Sequence, residues 1–172
     1  MNKKVVITIG SILIVAGAAL RIGLSSGGTA SHPAKIQWHT FTEGMNLCRG
    51  TDKKLLVDVY TDWCTWCKTM DKETYEQDEV ISYISDHFIP VRLNAESKEM
   101  RQFDTLQLTD AELADAFGVT GYPTTIFIQS DGRPITSIPG YIKKDEFKNI
   151  LRYIADNAYQ KMDYNQYKNS GK

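Results

Sequence analysis

The segment TDWCTWCKTM, residues 61–70, contains two cysteines, Cys64 and Cys67, separated by two residues, and each directly follows a tryptophan. Such a pair is compatible with four kinds of chemistry: haem attachment, metal binding, a structural disulfide, and electron exchange through a reversible disulfide. The rest of the chain decides among these four.

The residues around the pair argue against the first three kinds of chemistry. Haem attachment of the c type requires a histidine directly after the second cysteine, and that position holds Lys68. A structural disulfide this short closes a tiny loop and contributes little stability. A structural zinc site needs four ligands, and the other cysteine and histidines are scattered without ligand spacing: Cys48, His32, His39 and His87. No metal ligands are therefore predicted.

Dithiol exchange fits the local pattern best. The nearly continuous apolar run 55–60 predicts a buried strand, interrupted only by Asp58, and residues 64–72 predict a helix that opens at or just after Cys64. A cysteine at a helix N-terminus is stabilised as the thiolate by unpaired N–H groups and the helix dipole. We expect Cys64 to be exposed for attack and Cys67 to be sheltered, one turn into the helix.

The start of the chain has the pattern of an export signal. Lys3 and Lys4 precede the uncharged apolar run Val5 to Leu20, which ends at Arg21 and is followed by a Gly/Ser-rich stretch. Both a cleaved signal peptide and an uncleaved membrane anchor over residues 5–24 fit this pattern. We therefore predict a leader over 1–30 and one domain over 31–172, which is periplasmic or otherwise extracytoplasmic and either secreted or anchored to the inner membrane.

Composition limits the range of partners. The 172 residues are 42% hydrophobic and 24% charged, as in one ordinary globular domain. Residues 31–172 carry 17 basic and 21 acidic side chains, a formal charge of −4. Since nucleic acid requires a concentrated basic surface, we predict no nucleic-acid partner.

Hydrophobic periodicity and turn signals predict an α/β domain with a mixed central sheet of about five strands flanked by helices. Residues 95–108 look irregular, and Tyr164 and Tyr167 are expected to pack the tail onto the domain. In chain order we predict an edge strand at 35–39, a helix with Phe41, Met45 and Cys48 on one face, strand 55–60, the cysteine helix, a helical piece capped by Asp78, strand 88–94, a helix after the capping box 109–112, the hairpin 124–138 and helix 144–159.

The distributed pattern resembles the thioredoxin superfamily from about residue 35 to 158. Trp63-Cys64-Thr65-Trp66-Cys67-Lys68 is similar to the redox motif of that family, with Thr65-Trp66 in place of its usual Gly-Pro. Asp58 stands where thioredoxins have a buried aspartate, Gly121-Tyr122-Pro123-Thr124 resembles their cis-proline turn, and Arg92 lies where they usually have lysine. Within the superfamily, residues 58–68 and the broken helix after them are most similar to the C-terminal domain of DsbD-type interchange proteins, and residues 109–141 with the tyrosine-bearing tail resemble SoxW-type exported thioredoxins.

The resemblance implies a role for each of these residues. Cys64 would attack a client disulfide, Cys67 would resolve the mixed disulfide, and Asp58, with a raised pKa, would take the proton from Cys67. Lys68 would tune the pKa of the thiol. The substrate-binding residues would be Trp63, Thr65, Trp66, Tyr122 and Pro123.

The resemblance also implies the direction of electron flow and the partners. It indicates a reductant of client protein disulfides that needs no cofactor besides the Cys64–Cys67 disulfide and receives electrons from a membrane thiol–disulfide donor. Two alternatives stay open: a disulfide oxidase or isomerase of the same fold, and a metal- or client-binding module without turnover. Cys48, on an apolar helix face, is interpreted as a core residue.

Overall fold

The computed structural model describes residues 33–103 and 105–171. The predicted leader over 1–30, with its apolar run, lies outside these residues. In the described part of the chain, no helix is both long enough and apolar enough to cross a membrane.

The centre of the domain is a mixed sheet of four strands in the order β2-β1-β5-β6. β1 and β2 are parallel, and β5 is antiparallel to both β1 and β6. The predicted thioredoxin fold is thereby confirmed. The four strands are β1 (Lys54–Tyr60), β2 (Phe88–Asn94), β5 (Thr124–Ile128) and β6 (Pro134–Pro139).

The edge strand expected at 35–39 is reduced to a single bridge. The N–H of His39 donates to the carbonyl of Pro90, and the N–H of Arg92 donates to the carbonyl of His39, both over 3.0 Å. The next bond of a parallel ladder would have to come from the nitrogen of Pro90, which carries no hydrogen. The ladder therefore stops at His39, and four strands form where about five were expected.

Six α-helices surround this sheet in the described residues. The cysteine helix passes through a π-helical turn, Asp71–Tyr75, before the next helix begins. That helix begins at Asp78, with Gln77 in the N-cap position, so the predicted cap at Asp78 was wrong by one residue. The helices are α1 (Phe41–Cys48), α2 (Thr65–Met70), α3 (Asp78–His87), α4 (Asp110–Ala116), α5 (Lys144–Ala155) and α6 (Tyr164–Asn169).

Residues 95–108 are more regular than expected. β3 (Met100–Phe103) and β4 (Leu106–Thr109) form a separate antiparallel hairpin. The two strands are exposed or half-buried along their length, so they lack the apolar signature of a core strand. The predicted capping box is present at the start of α4, where Thr109 and Glu112 bond reciprocally.

Two apolar layers enclose the sheet, one on each face. Leu55, Val57 and Val59 belong to the layer that contains α1 and α4, whereas Leu56 belongs to the layer formed with α3 and α5. Because side chains alternate along a strand, Asp58 shares the face of Leu56. This alternation places a carboxyl group inside the second apolar layer.

The C-terminal tail packs back onto α5, as predicted. Tyr167 is buried, its ring lies 5.3 Å from that of Tyr153, and its hydroxyl donates to Asp156 over 3.0 Å. The predicted last helix is shorter than expected, because Asn157 adopts a left-handed conformation with φ 54° and ends the regular segment.

Candidate active site

Cys64 and Cys67 form a disulfide at the point where β1 leads into α2. Their Cα atoms lie 5.3 Å apart. Cys64 is the N-cap residue of α2, and its Sγ accepts the backbone N–H of Cys67 over 3.0 Å. A sulfur that already receives a backbone N–H in the disulfide is placed to receive the same donor as a thiolate.

The expected difference in exposure between the two cysteines is wrong for the disulfide form. Cys64 is 4% exposed and Cys67 is 5% exposed. The exposed surface at this position is aromatic instead, since Trp63 is 65% and Trp66 60% exposed. In this state the two cysteines differ in helix position and not in accessibility.

Trp63 forms an aromatic pair with Tyr122, the residue that precedes Pro123. The peptide bond between Tyr122 and Pro123 is cis, as the resemblance implies. The ring of Trp63 meets that of Tyr122 edge-on at 5.9 Å, and its indole N–H donates to Glu96 over 2.9 Å. A predicted pair of substrate-binding residues thus lies together, with Glu96 as an additional partner.

Trp66 belongs to a second aromatic pair that sequence reasoning missed. Its ring centroid lies 5.6 Å from that of Tyr141, and the hydroxyl of Tyr141 donates to Glu73 over 2.6 Å. Glu73 and Tyr141 are 68 positions apart, and no local pattern in the sequence connects them.

Asp58 is buried in the sheet and is bound by Arg92, its neighbour in the β1–β2 register. Nε and Nη2 of Arg92 both donate to one carboxylate oxygen of Asp58 over 3.1 Å, and the hydroxyl of Tyr75 donates to the other over 3.4 Å. Burial raises the pKa of Asp58 to about 6, although the positive charge of Arg92 opposes the rise. The direction of this pKa shift agrees with the sequence prediction.

Arg92 is shared between two carboxylates. Its Nη2 also donates to Asp71, the first residue of the π-helical turn. The guanidinium lies 4.7 Å from the ring centroid of Trp38 and 5.1 Å from that of Tyr60, so cation–π contacts hold it in place. The family resemblance matches Arg92 to a lysine position, but its bonds to Asp58 and Asp71 and the bond of Tyr75 to Asp58 were not predicted.

The other residues singled out from the sequence are Thr65, Lys68 and Cys48. Thr65 and Lys68 are exposed on α2. Cys48 is fully buried, its thiol donates to the carbonyl of Lys53 over 2.9 Å, and burial raises its pKa to about 11. These values match its interpretation as a core residue. Among residues 33–103 and 105–171, no three His, Cys, Asp or Glu side chains cluster as a metal site.

Comparison with curated proteins gives relatives that are longer than this chain. The thiol:disulfide interchange protein DsbD of Actinobacillus pleuropneumoniae serotype 5b is 24% identical over 137 residues, which cover 74% of this chain and 22% of that protein. DsbD of Escherichia coli K12 is 26% identical over 133 residues, which cover 72% of this chain and again 22% of the relative. The chain thus spans about a fifth of the length of these relatives.

Comparison with solved structures and with protein families confirms the fold. A thioredoxin-fold protein from Helicobacter pylori superimposes with a TM-score of 0.61 at 23% identity, covering 75% of this chain and 90% of that one. A candidate disulphide-isomerase from Bacteroides thetaiotaomicron gives 0.56 at 26% identity, covering 72% and 97%. Residues 41–155 match the family described as thioredoxin-like domain. With its Cys-x-x-Cys disulfide at the start of α2, this chain belongs to the thioredoxin-like domain family.

Proposed function

We propose that this protein is an extracytoplasmic thiol–disulfide oxidoreductase that reduces the disulfides of client proteins. The observation that carries the proposal is the position of Cys64: it forms the disulfide with Cys67 and, as the N-cap of α2, accepts a backbone N–H. Such an environment favours the thiolate, which is the nucleophile in disulfide exchange.

The first step is attack on the client. The Cys64 thiolate of the reduced protein bonds to one sulfur of a client disulfide, and the other client sulfur leaves as a thiolate. Trp63 and Tyr122, beside the cis Pro123, provide an apolar surface for the client. The exposed side chains of Trp63 and Trp66 suit such contacts, because each ring carries much apolar area on few rotatable bonds.

The second step releases the client. Cys67 gives its proton to the carboxylate of Asp58, and its sulfur attacks Cys64, so that the Cys64–Cys67 disulfide forms and the client leaves as a thiolate. Two electrons have then passed from the protein to the client, whose thiolates take up protons from solvent. A buried carboxyl with a pKa near 6 suits this proton transfer, because it is mostly ionised at neutral pH yet accepts a proton readily.

Electrons must return to the pair from another thiol, and we assign this role to a membrane thiol–disulfide donor. The curated relatives are named thiol:disulfide interchange proteins, and the chain corresponds to about a fifth of their length. The basic and apolar pattern of residues 1–24 favours export, with the segment either removed or kept as an anchor. The N-terminal pattern supports a place outside the cytoplasm, and the names of the relatives support an exchange partner that carries a dithiol.

Insulin reduction with dithiothreitol as the electron source tests the activity. We expect Cys64→Ser to abolish the catalysed rate, because it removes the sulfur at the N-cap of α2 that attacks the client and leaves no Cys64–Cys67 disulfide to form. Cys48→Ser is the matched control, since Cys48 is buried in the core and should leave the rate near that of the wild type once folding is verified. Undiminished activity in Cys64→Ser would disprove the proposal.

The direction of electron flow has a second candidate. The likeness to the Bacteroides thetaiotaomicron candidate isomerase, at 26% identity, favours an isomerase of the same fold. Redox titration by thiol trapping separates the two, since a reductant such as thioredoxin has a potential of about −270 mV, an isomerase about −180 mV and a strong oxidant about −120 mV. A value above about −200 mV would contradict the reductant assignment.

A further inference from the structure

The segment that follows β6 is fixed to the cis-proline loop and to the π-helical turn by three hydrogen bonds. The N–H of Gly140 donates to the carbonyl of Pro123 over 2.7 Å, and the buried hydroxyl of Thr74 donates to the carbonyl of Ile142 over 2.7 Å. Between these two anchors, the hydroxyl of Tyr141 donates to Glu73. The segment 140–142 therefore joins the cis-proline loop to the π-helical turn that continues the cysteine helix.

This anchoring places Tyr141 against Trp66. The two rings are inclined by only 33° with their centroids 5.6 Å apart, and Trp66 remains 60% exposed. Trp66 lies between the two cysteines in sequence, so the pair borders the disulfide. It has the same construction as the pair Trp63–Tyr122, in which a carboxylate also holds one of the two aromatic residues.

The apolar surface continues beyond Tyr141. Its side chain forms one wall of a cleft of about 840 Å³ between β6, α5 and the tail. The other walls are mostly apolar or aromatic and include Ile135, Ile138, Ile142, Ile150 and Tyr153. Tyr141 thus connects the exposed ring of Trp66 with the apolar lining of this cleft.

We propose that Tyr141 is a specificity-determining residue, which together with Trp66 binds an apolar or aromatic client side chain next to the reactive cysteine, and that Glu73 is its positioning residue. The inference rests on the proposed reduction of client disulfides and names the class of client. Aromatic side chains held rigid before binding contribute strongly at interfaces, because little side-chain entropy is lost when the partner arrives.

The test uses two disulfide-linked peptides that differ only at the residue after the cysteine, phenylalanine in one and glycine in the other. Second-order rate constants are measured with reduced protein in excess. We expect the wild type to prefer the phenylalanine peptide and Tyr141→Ala to lose about 3- to 10-fold of that rate, the range of one aromatic pair. The rate with the glycine peptide should change little, because that peptide has no ring to lose.

Two further variants separate positioning from folding. Glu73→Gln retains an acceptor for the Tyr141 hydroxyl and should keep the preference, whereas Glu73→Ala should weaken it. Tyr141→Phe keeps the ring but loses the same hydrogen bond, so it should weaken the preference about as much as Glu73→Ala does, and it preserves the test if Tyr141→Ala fails to fold. Leu47→Ala removes an exposed apolar side chain of α1 and serves as the matched control with unchanged rates.

The outcomes distinguish a failure of the role assigned to Tyr141 from a failure of the proposed reductase activity. An equal loss of rate for both peptides in Tyr141→Ala, or an unchanged preference, would overturn the role of Tyr141 while insulin reduction by the wild type still supported the reductase. A wild-type protein that reduces neither the peptides nor insulin would instead overturn the reductase itself.

Discussion

Asp58 stands in the core with one guanidinium that it shares with a second carboxylate. Arg92 binds both Asp58 and Asp71, and burial outweighs this single shared positive charge, so the pKa of Asp58 rises from 3.8 to about 6. The other groups that face Asp58 are the hydroxyls of Tyr75 and, through Tyr75, Thr125. At neutral pH the carboxylate is therefore held ionised in a place that disfavours its charge.

This raised pKa makes the stability of the protein depend on pH in a defined direction. Below about pH 4, Asp58 is protonated in both the folded and the unfolded protein, and it contributes no penalty. Between about pH 4 and 6, the unfolded chain ionises this group while the folded protein keeps it protonated, so the free energy of unfolding falls as the pH rises and levels off above about 6. At about 1.4 kcal/mol per pKa unit, the full loss is about 3 kcal/mol.

We therefore expect Asp58→Asn to be increasingly more stable than the wild type as the pH rises from 4 to 7.5, by about 2–3 kcal/mol in total. Urea titrations of the two oxidised proteins at several pH values measure this difference, in which the contributions of other groups cancel. The same variant should resolve the mixed disulfide more slowly. A stability difference that does not change with pH would show that Asp58 titrates as an ordinary carboxyl.

At the scale of the elements, the sequence predicted those whose pattern is local. β1 and β2 were found from buried apolar runs, α1 and α5 from their apolar faces, and α4 from its capping box. The β3–β4 hairpin was missed because its strands bury too little apolar surface to show an alternating pattern. The contact of Tyr141 with Trp66 and Glu73 was missed because these residues lie far apart in the sequence. They meet only when the loop after β6 is placed by the folded sheet.

The loop after β6 depends on the backbone of Gly140, whose φ is +91°. An alanine has open space for its Cβ here, so the cost of Gly140→Ala comes from the backbone conformation alone and should be about 1–3 kcal/mol. Gly121→Ala is the matched control, since it also has open space and lacks a positive φ. Urea unfolding at pH 7 measures both variants, and equal stabilities would contradict this explanation.

At the scale of the whole molecule, the C-terminal helix completes the second apolar layer. Tyr167 is 4% exposed and packs on Tyr153, while Tyr164 donates to Glu146 of α5 over 2.9 Å. The tail is thus part of the folded domain; Tyr164 lines the cleft that Tyr141 also lines, whereas Tyr167 packs on Tyr153 and bonds to Asp156 away from that cleft.

This separation leads to a prediction in which stability and activity respond differently. Tyr167→Ala should lower the free energy of unfolding by about 3 kcal/mol, because it removes a buried ring. Tyr167→Phe, which removes only the hydroxyl bonded to Asp156, should lower it by about 1 kcal/mol. Insulin reduction by the folded variants should remain at the wild-type rate, and a lower rate would show that the tail takes part in the reaction.

Both outer strands of the central sheet contain prolines. β6 begins at Pro134 and ends at Pro139, and β2 contains Pro90 beside the single bridge to His39. Each proline removes one N–H that an added strand would need, so neither edge can serve as a full-length template for another chain. A domain that exposes Trp63 and Trp66 on its surface is thereby protected from edge-to-edge β-aggregation.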